Sequence, residues 1–158
     1  MAKRTTHARG ITPAGVFTST YCWSYPCKPR PLWTALTTGI NRWWQPAFFA
    51  QASSKTFKLE PRLGGMMGEV GPAGAGVIWG TVFAVDPGHS LLVVGHTTPR
   101  WGGPHTGTME FTIAAAPRGA SLTLVHAVFG NATAATRRSL EEGWNTLFDT
   151  ALRAHLSK

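Results

Sequence analysis

A chain of 158 residues, 43% hydrophobic and only 14% charged, is long enough for one domain and too apolar to stay disordered. Its net charge of +8 is scattered, from Lys3, Arg4 and Arg9 near the start to Arg137 and Arg138 near the end, without the basic helix or stacking motif of a nucleic-acid binder. It has neither an apolar signal segment nor a run long enough to span a bilayer, which predicts a cytoplasmic protein with no membrane and no nucleic-acid partner.

Residues 1–12 are polar and basic and read as a flexible tail, with one domain over residues 13–158. Val16 to Tyr25 is rich in Phe, Thr, Tyr and Trp and predicts a strand, which Pro26, Pro29 and Pro31 terminate. Cys22 and Cys27 lack the partner ligands of a zinc site, so two reduced thiols and no metal are expected. The segment PLWTALTTG predicts a short helix with Pro31 in its first turn and Gly39 as its stop. INRWWQ follows as a second short helical piece that Pro46 ends.

Hairpins fill the middle of the chain. TFKLEPRL and MMGEV are joined through Gly64-Gly65. GPAGAG, residues 71–76, has the glycines of a phosphate loop, but a strand follows it instead of a helix, so it reads as a hairpin turn. VIWGTVFAV then runs to a turn at Asp86-Pro87-Gly88, and SLLVVGH returns. Strict alternation places Val77, Trp79, Phe83 and Val85 on one face and Ile78, Val82 and Ala84 on the other. Both faces are apolar, which motivates a homodimer hypothesis. Pro99 to His105 forms a rigid aromatic loop.

Two strands are plainly legible. In TMEFTI, Met109, Phe111 and Ile113 share a face, and in SLTLVHAV, Leu122, Leu124, His126 and Val128 do the same, with Pro117 to Ala120 as the turn between. After Gly130 the period changes to that of a helix of about five turns. Leu140, Trp144, Leu147, Ala151 and Ala154 form its apolar stripe, flanked by Phe148, Leu152 and His155. Ser139 and Glu142 have capping-box spacing, and Thr133 and Thr136 offer earlier starts. The elements predict an α+β helix-grip fold. A six- to seven-stranded antiparallel sheet wraps a long C-terminal helix, with two short helices after the first strand.

The segments LWTALTTG, RWWQP, GTVFAVDPGHSLLV, SLTLVHAVFG and EEGWNTLFDTALRAHL, in this order and spacing, resemble homologues of the activator of heat-shock-protein-90 ATPase, a family of the START/polyketide-cyclase (SRPBCC) superfamily. The resemblance spans roughly residues 16–156 and implies a hydrophobic cavity between helix and sheet. Superfamily members include lipid and hormone binders, aromatase/cyclases and ring-hydroxylase domains, so the fold alone does not select a function.

The chemistry-bearing residues are few. Of seven acidic residues, Asp86, Glu110, Glu141, Glu142 and Asp149 fall in a turn or on wet faces, and Glu60 and Glu69 lie in paired hairpin strands, which speaks against a carboxylate-pair mechanism. No nucleophile elbow appears. His126 is the polar member of an inward, apolar row and is the candidate for acid–base or ligand-orienting work. His96 and His105 flank the aromatic loop at the expected cavity mouth. The leading reading is a binder of a small apolar ligand, without a cofactor, in a cavity walled by Met109, Phe111, Leu122, Leu124, His126, Trp144, Leu147 and Phe148. The alternatives are a cyclase- or hydrolase-type enzyme using the same cavity, and a co-chaperone-like interaction module.

Overall fold

The alternation in the sequence becomes a seven-stranded antiparallel sheet in the computed structural model, which describes Gly10, Ile11 and residues 13–158. The tail expected over residues 1–12 lies, but for Gly10 and Ile11, outside the described residues. The strands are β1 (Gly15–Tyr25), β2 (Thr56–Leu59), β3 (Met66–Val70), β4 (Gly76–Asp86), β5 (Ser90–Thr97), β6 (His105–Ala116) and β7 (Gly119–Gly130). Their spatial order is β1-β7-β6-β5-β4-β3-β2. Strands β2 to β7 form a meander of short turns, while β1 closes against β7 from Gly15↔Gly130 to Tyr25↔Ala120. The chain crosses from one sheet edge to the other through α1 (Pro29–Leu36) and two single-turn helices, Ile40–Arg42 and Pro46–Phe48. Leu32, Ala35 and Leu36 bury the inner face of α1.

The C-terminal helix runs without a break through α2 (Ala134–Trp144), a wider π-helical stretch (Asn145–Leu152) and α3 (Arg153–Leu156). Thr133 caps it. Its hydroxyl accepts the Thr136 N–H at 3.1 Å, and the Thr136 hydroxyl accepts the Thr133 N–H in return. The N–H groups of Thr133 and Thr136 are thereby satisfied, and Ser139 is an interior residue of α2 rather than its cap. The π stretch turns Leu147, Phe148, Ala151 and Leu152 onto the sheet, and Ala154, expected on the apolar stripe, is exposed. No helix among the described residues is long and apolar enough to cross a membrane.

One end of the space between helix and sheet is solid. Phe111, Ile113, Leu122, Leu124, Phe148 and Leu152 are at most 2% exposed there. Trp23 and Trp43 flank Phe148, with ring centroids 4.9 and 5.8 Å from it. The Tyr25 hydroxyl donates to the Phe148 carbonyl at 2.8 Å and ties β1 to the π stretch. Burial pushes the Tyr25 phenol above its ordinary range, which keeps that donor protonated.

Several local expectations are corrected. Helix α1 ends at Leu36, and Gly39 has φ −93°, so it does not serve as a left-handed stop. Gly39 is needed because a Cβ there would lie 2.9 Å from the Thr34 carbonyl oxygen. The β6–β7 turn is shorter than expected, since Ala116 already pairs with Gly119 and Ala120 with Ala115. Two β-bulges break the period of β4, one opposite Met67 and Gly68 and one between Val82 and Ala84. Each inserts a residue and reverses the facing of those beyond it. Val82 is therefore buried while Ile78 and Phe83, assigned to opposite faces by alternation, are 64% and 71% exposed.

Candidate functional site

A pocket of about 320 Å³ lies between the helix and the sheet, at the end away from the solid core. Three glycines line it. Gly95 on β5 and Gly107 on β6 are directly paired, so the sheet floor is bare at that point. Gly143 on α2 faces the same space. A Cβ on Gly143 would meet only the edge of Phe48, at 3.4 Å. A Cβ on Gly95 would run into the Trp79 backbone carbonyl and one on Gly107 would lie 2.9 Å from the Ala127 carbonyl oxygen, so close backbone approach requires glycine at both, and Gly143 is the position from which a side chain would enter the open volume.

The walls are aromatic and sulfur-bearing. Trp44, Phe48 and Phe57 close one side, with Trp44 stacked on Phe57 at 3.5 Å between centroids. Met67 and Met109 line the sheet side. Trp79 and Trp101, in edge contact at 5.3 Å, stand near Thr97 and His105. Among the described residues, no lysine, arginine, aspartate or glutamate lines this pocket.

Trp79 is held by a buried carboxylate. Glu69 is 1% exposed and accepts from the Trp79 indole N–H at 3.1 Å and from the backbone N–H groups of Ala50 and Gln51 at 2.9 and 3.3 Å. No cation pairs with it among the described residues. Three N–H donors replace the counter-charge, which is how a carboxylate survives burial. They also fix the indole ring and the loop after Pro46–Phe48 as one wall.

His126 is the most constrained polar group of the site. It is 6% exposed, and its Nδ1 accepts the Trp144 indole N–H at 3.0 Å. Burial, and secondarily the neighbouring His105, lower its pKa to about 4, so it is neutral at pH 7. Burial also lowers the pKa of His105, whose Nδ1 is enclosed without a partner among the described residues. The pocket therefore offers neutral hydrogen-bonding groups on an apolar surface rather than charges.

Of the eight residues expected to wall a cavity, Met109, His126, Trp144 and Leu147 line this pocket. Phe111, Leu122, Leu124 and Phe148 do not, because they pack against each other and Trp23 in the solid end. His105 lines the pocket, whereas His96 is exposed on the opposite face, bonded to the Thr106 hydroxyl. The sequence reading missed Trp44, Phe48, Phe57, Met67, Trp79 and Trp101 as lining residues, and Glu69 as a buried one. One signal for Glu69 was available: it shares alternation parity with Met67. Among the described residues, no cluster of three or more His, Cys, Asp or Glu is placed to hold a metal ion.

The model of the family described as Activator of Hsp90 ATPase homolog 1-like protein matches residues 26–157. A comparison with curated proteins finds no match. Among solved structures, an uncharacterised protein from Rhizobium leguminosarum superposes with a TM-score of 0.71 at 14% identity, covering 92% of this chain and 97% of its own. Protein Mll3558 from Rhizobium loti gives 0.69 at 19% identity, over 92% and 100% of the two chains. Protein MLL2253 from Mesorhizobium loti gives 0.62 at 21%, over 89% and 97%. At these identities the likeness concerns the fold.

Proposed function

Because the chain belongs to the family of Activator of Hsp90 ATPase homolog 1-like proteins, with a helix-grip fold, we propose that it works by binding a small hydrophobic ligand in the pocket between the C-terminal helix and the curved sheet. The observation that carries this reading is an unfilled pocket, lined by Gly95, Gly107 and Gly143 and surrounded by aromatic and methionine side chains. A core under selection for stability alone fills such a gap, since empty volume destabilises. The volume of about 320 Å³ is at the lower end for small-molecule sites and favours a compact, ring-containing ligand over a long chain. Affinity comes from apolar burial, reduced by the cost of association. The test is titration with a neutral hydrophobic dye that fluoresces on burial. Substituting Gly143→Leu is expected to weaken binding at least tenfold. Unchanged affinity would put the dye elsewhere.

A second reading, a hydrolase- or cyclase-type enzyme, rests on the convergence of His105 and His126 in one pocket. Its support is thinner, since no carboxylate lines the pocket, among the described residues, to raise their basicity. Turnover of a panel of neutral aryl esters that disappears in His126→Leu is the result that favours it. We further propose a homodimer through the outer face of β4, on the strength of exposed Ile78 and Phe83.

A further inference from the structure

The hydrogen bond between Trp144 and His126 determines more than orientation. An indole nitrogen has a proton to give and no lone pair to accept with. His126 Nδ1, which receives that proton at 3.0 Å, is therefore unprotonated. In a neutral imidazole the proton must then sit on Nε2. Nε2 is a donor, and among the described residues nothing accepts from it. It lies over the bare floor, where a Cβ on Gly107 would come within 3.2 Å of it. The polar atoms lining the same pocket are the weak acceptor sulfurs of Met67 and Met109, the His105 ring and the hydroxyls of Thr97 and Ser139, and none of them is bonded to it.

From this geometry we infer that the ligand is a neutral, compact apolar molecule bearing one carbonyl-type oxygen, which accepts the His126 Nε2–H over Gly107 while its body packs against Trp44, Trp79 and Trp144. This assignment of ligand class rests on the proposed use of the pocket. The chemistry of the lining disfavours the alternatives. A carboxylate would be buried with no lysine or arginine lining the pocket, beside two histidines whose charged forms burial disfavours. An alcohol or amine brings a donor of its own, which needs one of the few polar groups of the lining, His105, Thr97 or Ser139, in addition to His126. A pure hydrocarbon leaves Nε2–H unpaired, and an unmade buried hydrogen bond is what a site built around a donor penalises.

The probes are acetylnaphthalene, its planar hydrocarbon isostere isopropenylnaphthalene, and naphthoate, all with the same attachment position. Competition against the neutral dye gives their relative affinities. The ketone is expected to bind at least tenfold more tightly than the isostere, equivalent to about 1.4 kcal/mol, and more tightly than naphthoate at pH 7. His126→Leu should erase the difference between ketone and isostere, and His126→Gln, which keeps an N–H in a similar place, should restore part of it. In the unliganded wild-type protein, long-range nitrogen–proton NMR of the imidazole should show the Nε2–H tautomer, a readout that needs no variant to fold. Equal binding of ketone and isostere, with both lost in Gly143→Leu, overturns the ligand class while leaving the pocket reading standing. A preference for naphthoate, an Nδ1–H tautomer, or a ketone preference that survives His126→Leu overturns it as well. Binding of no probe, or of probes indifferent to Gly143→Leu, sinks both.

Discussion

Replacing Trp144 by Phe isolates the bond on which the site's polarity depends. The wild-type indole is 8% exposed, stacks on Phe148 at 5.5 Å between centroids and gives its N–H to His126. Phenylalanine keeps most of the buried ring but strands the Nδ1 acceptor, which costs about 1–3 kcal/mol. The missing ring edge adds about 1 kcal/mol, so a total of about 2–4 kcal/mol is expected. Trp144→Ala, which also opens a cavity, should cost about 3–5 kcal/mol. Urea unfolding followed by circular dichroism measures both. The pH dependence provides a second, independent readout. Folding holds His126 at a pKa of about 4, against 6.5 in the unfolded chain, so the unfolded chain binds more protons between these values. Stability is thus fully present above pH 6.5 and falls as the pH drops to about 4. At roughly 1.4 kcal/mol per unit the loss is about 3 kcal/mol, and the lowered pKa of His105 adds to it in the same direction. In Trp144→Phe the bond that favours neutral Nδ1 is gone, and this pH dependence should shrink. A Trp144→Phe cost below about 0.5 kcal/mol, as at an ordinary surface position, together with an unchanged pH profile, would refute the reasoning.

Gly143→Ala should stabilise the helix by about 1 kcal/mol while weakening dye binding, since its Cβ meets only Phe48 and otherwise enters the pocket; thermal unfolding and dye titration on one sample separate the two effects. Glu69→Leu should destabilise by about 2–4 kcal/mol, because it leaves the Trp79, Ala50 and Gln51 N–H groups unpaired, and Trp79 should lose its fixed environment in near-ultraviolet circular dichroism. Light scattering after size exclusion should show a dimer that Phe83→Asp converts to a monomer; a wild-type monomer at high concentration removes the dimer proposal.

The parts of the fold that were legible obey a simple period. From Gly107 to Ile113 in β6 and from Ala120 to Val128 in β7 every second residue is buried, so Met109, Phe111, Leu122, Leu124 and His126 were placed on the correct face. Strand β4 was not legible because its two bulges arise from pairing with β3 and β5, which no local pattern encodes. The same distinction explains the site. Phe111, Leu122, Leu124 and Phe148 carry the strongest apolar signal, and for that reason they fill their end of the grip rather than leave room in it. The room is lined by Gly95, Gly107 and Gly143, which register as ordinary weak points in their elements until the sheet register pairs the first two and the fold brings the third to the same pocket. Trp44, Phe48 and Trp79 arrive from the opposite edge of the sheet, at sequence distances where periodicity carries no information. The tautomer of His126 likewise depends on a partner 18 residues away, on a different element.

The most direct measurement of the central claim is an NMR titration of the wild-type protein with acetylnaphthalene, following methionine methyl, tryptophan indole and histidine ring resonances. Saturable shifts are expected at Met67, Met109, Trp79, Trp144 and His126, with Tyr25 and Trp23 in the solid end unmoved. Shifts confined to the outer face around Ile78 and Phe83, or to Tyr25 and Trp23 in the solid end, would contradict it.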